Sequence, residues 1–239
     1  MKKIAKMFLK VTLVIVILLI VCIIVFVLVA KDRDTNYSKY TETTGEIEVI
    51  YTGSGDSEVS YKEYDANYDV IVKYAIWYPS ELESNDNKYP VVIFANGTGS
   101  TSSTYTSFLK HLSSWGFIAV GNDDKNTRTG ASLEETVKFL IEENENESSV
   151  FYQKIDLDNI GIGGHSQGGP AVFNMVTNQE HGYMIKTLYA ASATSSYHTA
   201  VMGDHWEYDI SKVKIPVFLT AGTGYWDAGN ATSKEQVTD

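Results

Sequence analysis

The feature that most constrains the fold is a glycine-rich turn around Ser166, in the run GHSQG (164–168). The apolar run NIGIG (159–163) precedes it, and GPAVF (169–173) follows it. A strand, a one-residue turn and a helix start in this order are typical of a nucleophile elbow, whose central residue has strained backbone geometry. The positions that flank the turn must lack bulky side chains, and glycines at 164, 168 and 169 meet this requirement. We therefore predict that Ser166 is an exposed nucleophile at the C-terminal edge of a strand; a glycine-rich turn with an incidental serine is the alternative.

The N-terminal part of the chain has the composition of a membrane anchor. Twenty residues without a charge (11–30) follow a segment with four lysines, Lys2, Lys3, Lys6 and Lys10. This length spans a bilayer, whereas the apolar region of a signal peptide has about 7–15 residues. We predict a cytoplasmic basic segment (1–10), a transmembrane anchor (11–30), a polar linker (31–45) and a domain outside the cell membrane (46–239). Secretion after signal cleavage is the alternative.

Composition narrows the class of the domain that follows. The 239 residues are 44% hydrophobic and carry a formal net charge of −11, although basic residues cluster near the N-terminus. Such an acidic domain would be repelled by nucleic acid, so no nucleic-acid partner is expected. The single cysteine, Cys22, falls in the anchor, so the domain has no internal disulfide and depends on its apolar core.

Apolar and β-branched runs alternate with helical patterns along the domain. Strands are predicted at Glu46–Tyr51, Tyr68–Tyr78, Tyr89–Ala95, Phe117–Val120, 159–163, Thr187–Ala191 and Ile215–Ala221, with Asp65-Ala66-Asn67 as a break. Helices are predicted at Ser107–Trp115, after a capping box that starts at Ser132, and at Pro170–Val176. This alternation indicates an α/β fold with a mostly parallel sheet.

Two backbone amides are candidates for an oxyanion hole beside Ser166. Gln167 follows the serine and begins a helix, so its N–H and the helix dipole both favour a negative charge. The loop NGTGST (96–101) follows the strand Tyr89–Ala95, and its small residues let a backbone N–H approach a substrate closely. We choose Thr98 as the second donor; a merely flexible connection is the alternative.

The stretch from Tyr89 to Ala221 resembles α/β-hydrolases of the dienelactone-hydrolase and cutinase-like polyester-hydrolase branch. The resemblance lies in PVVIF (90–94) with NGT (96–98), SWGFIAV (114–120), and ID (155–156) ahead of GHSQGG (164–169). It implies a doubly wound, mostly parallel sheet with helices on both faces, and a catalytic acid in the loop after the strand Ile215–Ala221. Asp227 is the nearby carboxylate, about two positions late, and an exposed loop aspartate is the alternative interpretation.

The catalytic base is missing from its expected place. The triad in this fold runs serine, acid, histidine along the chain, and no histidine follows Asp227 in this sequence. The preferred explanation is a fragment that lacks the last strand and helix. Recruitment of His198 or His205, a shortened pseudoenzyme and a base lent by a partner chain are the alternatives. His165 is interpreted as packing beside its strand.

These features predict a membrane-anchored serine hydrolase that cleaves carboxylic esters through an acyl-enzyme. Its partners would be a small or polymeric ester and, through residues 11–30, the lipid bilayer. No metal or organic cofactor is expected, since the five histidines are scattered without a ligand spacing. A catalytically inactive surface binding protein on the same scaffold is the alternative. Without a base, turnover by this chain should be far below that of a normal esterase.

Overall fold

The computed structural model of the chain describes residues 2–36, 39–41, 43, 45–201, 203 and 206–222. The chain divides into two compact units, Met1–Gly53 and Ser54–Asp239.

Two helices form the described part of the first unit. Helix α1 (Lys2–Thr35) extends beyond the predicted anchor at both ends, and its segment Lys6–Arg33 is long and apolar enough to cross a membrane. Helix α2 (Glu46–Thr52) occupies the segment for which a strand was predicted, so that prediction is wrong. The backbone N–H of Gly45 donates to the Glu48 carboxylate at 2.9 Å, and this capping bond starts a helix that the β-branched residues alone do not favour.

The second unit is built on a seven-stranded sheet in the order β1-β2-β4-β3-β5-β6-β7. Strand β2 pairs antiparallel with both β1 and β4, and all other pairs are parallel. The predicted mostly parallel sheet is confirmed. The strands are β1 (Val59–Tyr68), β2 (Ile71–Pro79), β3 (Tyr89–Ala95), β4 (Ile118–Asn122), β5 (Ile155–His165), β6 (Ile185–Ala191) and β7 (Val217–Thr220).

Helices cover both faces of this sheet. The helices of this unit are α3 (Thr106–Ser114), α4 (Ala131–Glu145), α5 (Gly168–Asn178) and the short α6 (Ser196–Val201), and residues of α3, α4 and α5 pack against the strands. Successive residues of β2 enter two separate cores. Ile76 packs in the larger core with residues of α4 and α5, whereas Trp77 packs in the smaller core with Leu109 of α3. Successive side chains of a strand point to opposite faces, so the two cores identify the doubly wound architecture.

Two local predictions in this unit are wrong. Residues 65–67, predicted as a break, lie inside β1, where a register shift between Asp65 and Tyr68 accommodates them in an edge strand. Helix α4 begins at Ala131 rather than after a capping box, and Ser132 is buried in its first turn. Gly130 sets this earlier start, because it has φ +76° and a Cβ there would lie 2.7 Å from the backbone nitrogen of Met175.

Candidate active site

Ser166 occupies the sharp turn between β5 and α5. Its φ is +54°, in the left-handed region that costs an ordinary residue about 1–2 kcal/mol. Three backbone hydrogen bonds hold this conformation: Ser166 N–H donates to Ala191 at 2.9 Å, and its carbonyl accepts from Gly169 at 2.9 Å and Thr194 at 3.1 Å. The turn that the sequence predicts is therefore present, and it is fixed against β6 and the segment that follows β6.

Close backbone approach explains the glycines around Ser166. A Cβ at Gly164 would lie 2.0 Å from the carbonyl oxygen of Gly168. A Cβ at Gly168 would in turn lie 2.3 Å from the carbonyl oxygen of Ala95 on β3. Both distances are far below van der Waals contact, so the start of α5 can lie against β3 and β5 only where side chains are absent.

The Ser166 side chain is half-buried, and its Oγ lies 3.4 Å from Oγ1 of Thr194. Thr194 follows β6, so two neighbouring C-terminal strand ends contribute hydroxyls to one place. Ligands of parallel α/β sheets bind outside these strand ends. The serine hydroxyl therefore lies where the chemistry of such a fold takes place.

The loop that contains Thr98 lies beside the elbow. Ala95 at the end of β3 pairs with Gly164 of β5, so the following residues continue next to Ser166. The backbone N–H of Gly97 donates to the Tyr105 hydroxyl at 2.9 Å, and this hydroxyl lies 3.0 Å from Nδ1 of His165. The exposed His165 ring contacts Tyr105, so it packs beside the strand end, as predicted.

The backbone N–H groups of Thr98 and Gln167 are the two predicted donors to an oxyanion. Neither has a hydrogen-bond acceptor among the described residues. Gln167 directly precedes α5, where the helix dipole adds a partial positive charge. The Gln167 side chain is buried and donates through Nε2 to Oδ1 of Asn126 at 3.2 Å, which anchors the residue beside the serine.

Asn96, for which the sequence predicted no role of its own, holds the loops of this edge together. Its Nδ2 donates to the carbonyl oxygens of Asn122 and Asp124, each at 2.9 Å, and its own carbonyl accepts from the Thr127 hydroxyl at 2.8 Å. Asn96 is completely buried. Its partners lie 26 to 31 positions away, so the asparagine in NGT gave no local signal of this role.

The predicted acid and the two candidate bases are not among the side chains that the structure describes. Asp227 and His205 lie outside the described residues, and nothing is described of the His198 side chain. Of the described histidines, His165 contacts Tyr105, and His181 forms a 2.6 Å contact through Nδ1 with Oε1 of Glu134. The described residues therefore place the serine and the two amides at one edge of the sheet, and they do not locate the predicted acid or a base.

One group of side chains has a spacing that could hold a metal ion. Ligand atoms of Glu134, Glu180 and His181 lie within 4.8 Å of one another. Glu134, however, already accepts hydrogen bonds from the backbone and, in the 2.6 Å contact, the ring of His181, and Lys138 lies 3.7 Å from it. This internal pairing satisfies the buried carboxylate without an ion.

The strand order, the helices on both faces and the elbow define an α/β-hydrolase-type fold. Within this class, residues 76–191 match the sequence model of the chlorophyllase family, an α/β-hydrolase-type family of esterase-like hydrolases. The match covers somewhat less than half of the chain, from β2 to the end of β6, and includes both Thr98 and Ser166. No curated protein matches the chain. The match supports a hydrolase that acts on a small-molecule ester.

Proposed function

We propose that this protein is a serine hydrolase that cleaves carboxylic esters, with Ser166 as the nucleophile. The observation that carries the proposal is the φ of +54° at Ser166, between β5 and α5. Strain of this kind persists only where surrounding contacts hold it, and it is concentrated at functional sites. The match to an esterase-like family supports the same reaction class.

The proposed reaction proceeds through an acyl-enzyme. Ser166 Oγ attacks the ester carbonyl as its proton passes to a base, and the carbonyl oxygen becomes an oxyanion that accepts hydrogen bonds from the Thr98 and Gln167 amides. The base then protonates the leaving alcohol. Water, activated by the same base, attacks the acyl-enzyme and releases the acid and the free serine. Removal of one such amide donor from an oxyanion hole typically lowers kcat by about 10²–10³.

The residues that we propose as the acid and the base are not among the described side chains. Asp227 is the proposed acid, which would orient the base and stabilise its charged form. The base would be a histidine whose side chain is not among those described. His198 and His205 are the two such histidines in this sequence.

The setting of the enzyme is also part of the proposal. We place the chain in the dienelactone-hydrolase and cutinase-like branch, on the sequence blocks from Tyr89 to Ala221. Helix α1 would anchor the protein in a cell membrane, because Lys6–Arg33 is long and apolar enough to span it. The lysines before position 11 would remain cytoplasmic, with the hydrolase unit on the outer side.

A fluorophosphonate probe tests the nucleophile in the full chain, purified in detergent. We expect covalent labelling of the native protein and its loss in Ser166→Ala. Ser192→Ala is the matched control, because Ser192 also has a positive φ, of 47°, but follows β6 rather than β5. Labelling that survives Ser166→Ala would refute the assignment. A protein extended to its natural C-terminus that is folded but never labelled would instead favour the inactive binding protein.

The same probe tests the base. A base at His198 or His205 predicts that the corresponding alanine variant is labelled at least about 10²-fold more slowly. Unchanged labelling in both variants would exclude these two histidines.

Membrane orientation has its own test. A membrane-impermeant amine reagent should modify the exposed Lys88 in intact cells, and the protein should resist alkaline extraction from membranes. A mature N-terminus close to residue 31 would show signal cleavage and would contradict the anchor.

A further inference from the structure

The segment that follows β6 holds the backbone of Ser166 from both sides. The Ser166 N–H donates to the carbonyl oxygen of Ala191 at 2.9 Å, and the N–H of Thr194 donates to the Ser166 carbonyl oxygen at 3.1 Å. The same threonine also reaches the serine with its side chain, since its Oγ1 lies 3.4 Å from Ser166 Oγ. Thr194 is therefore bonded to the backbone of the proposed nucleophile and contacts its hydroxyl.

Two contacts fix the position of Thr194 itself. Its carbonyl oxygen accepts from the Tyr208 hydroxyl at 3.3 Å, and the Tyr208 ring stacks on Phe173 of α5 with centres 5.5 Å apart. The preceding residue, Ala193, packs against the first turn of α5, where a Cβ at Gly169 would lie 2.3 Å from the Cβ of Ala193. The threonine is thus joined to the helix that begins at the elbow.

A threonine side chain on a fixed backbone has little freedom. Its branched Cβ restricts χ1, so the position of Oγ1 follows from the backbone contacts. The serine differs, because its backbone bonds and its φ of +54° do not by themselves select one of the three staggered χ1 rotamers. Among the described side chains, Thr194 is the hydrogen-bond partner of Ser166 Oγ. The threonine hydroxyl can therefore favour one of these rotamers.

We propose that Thr194 is a positioning residue that holds Ser166 Oγ in the rotamer that attacks the ester, a step that rests on the proposed function. Its hydroxyl exchanges no proton with the substrate and forms no bond to it. The distance of 3.4 Å is long for a hydrogen bond, so the contact can orient the serine and still release it as the new bond forms. Such positioning raises kcat rather than affinity, because an ester can bind beside a misplaced nucleophile.

Substitution of Thr194 by valine and by serine tests the hydroxyl separately from the methyl group. Thr194→Val keeps the branched shape and removes the hydroxyl, whereas Thr194→Ser keeps the hydroxyl. In the full chain, we expect the fluorophosphonate probe to label Thr194→Val about tenfold more slowly than the native protein, and Thr194→Ser within about threefold of the native rate. With p-nitrophenyl hexanoate, the loss in Thr194→Val should fall on kcat, with KM within about twofold.

Thr187→Val is the matched control and should keep the native labelling rate. Thr187 is exposed on β6 and donates its hydroxyl to the Pro216 carbonyl oxygen at 3.2 Å. Three outcomes would overturn the proposal. Equal rates in Thr194→Val and the native protein would show that the hydroxyl has no role, and faster labelling of Thr194→Val would show that it holds the serine in an unreactive rotamer. An equal loss in Thr194→Ser would assign the effect to the methyl group.

The rotamer can also be observed without turnover, which separates this inference from the proposed function. Crystal structures of the full chain and of Thr194→Val show where Ser166 Oγ lies. We expect one position in the native protein and more than one in the variant. A folded protein, extended to its natural C-terminus, that is never labelled would refute the proposed function, but this difference at Ser166 would still support positioning by Thr194. The same single position in both structures would overturn it, whatever the activity.

Discussion

The hydroxyl oxygen of Tyr105 lies 3.0 Å from Nδ1 of His165, the residue directly before the elbow serine. The same oxygen accepts the backbone N–H of Gly97 at 2.9 Å, so its own proton remains available for the imidazole nitrogen. One phenol therefore joins the loop of Thr98 to the end of β5. Because Thr98 is adjacent to Gly97, this connection determines where one of the two proposed oxyanion donors lies relative to Ser166.

Removal of the Tyr105 hydroxyl should weaken catalysis more than substrate binding. In Tyr105→Phe the Gly97 N–H loses its acceptor, which costs about 1–3 kcal/mol and loosens the adjacent Thr98 amide. We expect a decrease of about tenfold in kcat for p-nitrophenyl hexanoate, with KM within about twofold. Tyr183→Phe is the control, because Tyr183 is exposed and lies in the turn before β6. A change in KM alone would contradict the positioning role.

Substitution of Gly168 should disrupt the second unit as a whole. An alanine Cβ would lie 2.3 Å from the Ala95 carbonyl oxygen, so α5 must move away from β3. We expect Gly168→Ala to lower the free energy of unfolding by about 3 kcal/mol, measured by urea denaturation. Gly53→Ala is the comparison, since its nearest contact would be an ordinary 3.9 Å. Equal stability of the two variants would refute the packing argument.

The positive φ of Ser166 should lower the free energy of unfolding of the native protein, because the proposed nucleophile needs this strained conformation. Glycine adopts a positive φ without steric cost, whereas alanine keeps the Cβ of serine. Ser166→Gly should therefore have a free energy of unfolding about 1 kcal/mol higher than Ser166→Ala, while neither variant is labelled by the fluorophosphonate probe. Identical denaturation midpoints would show that the turn carries no such strain.

Alkaline pH should destabilise the fold through buried tyrosines. Burial, with nearby Glu135 and Glu142, raises the pKa of Tyr74 from 10.0 to about 12. In the unfolded chain this phenol ionises near pH 10, whereas in the folded chain it remains neutral. Stability is therefore lost as pH rises from about 10 to about 12. Tyr74→Phe should show a smaller decrease in Tm across this range.

Phe139 contributes to the burial of this phenol, because its ring stacks on that of Tyr74 with centres 4.2 Å apart. Absorbance at the phenolate band gives a direct check in the native protein. Ionisation of all tyrosines near pH 10 without unfolding would contradict the raised pKa.

Local signals were enough to predict the central part of the fold. Strands β3 to β7 and helices α3 and α5 were identified from short apolar runs and helical spacing, because each pattern lies within a dozen residues. The turn at Ser166 was predicted for the same reason. Its glycines, the preceding strand and the following helix are neighbours in sequence, and the steric demand that links them is local.

The tertiary structure decided what depends on contacts between distant positions. Strand β1 contains polar residues that look like a break, and only its pairing with β2 makes it a strand. The start of α4 depends on the close approach of Gly130 to α5. Tyr105 and His165 are 60 positions apart, and Gln167 and Asn126 are 41 apart. The sequence by itself therefore determined the serine and its turn. The side chains that hold and surround the serine depend on packing between distant positions, which short sequence patterns do not reveal.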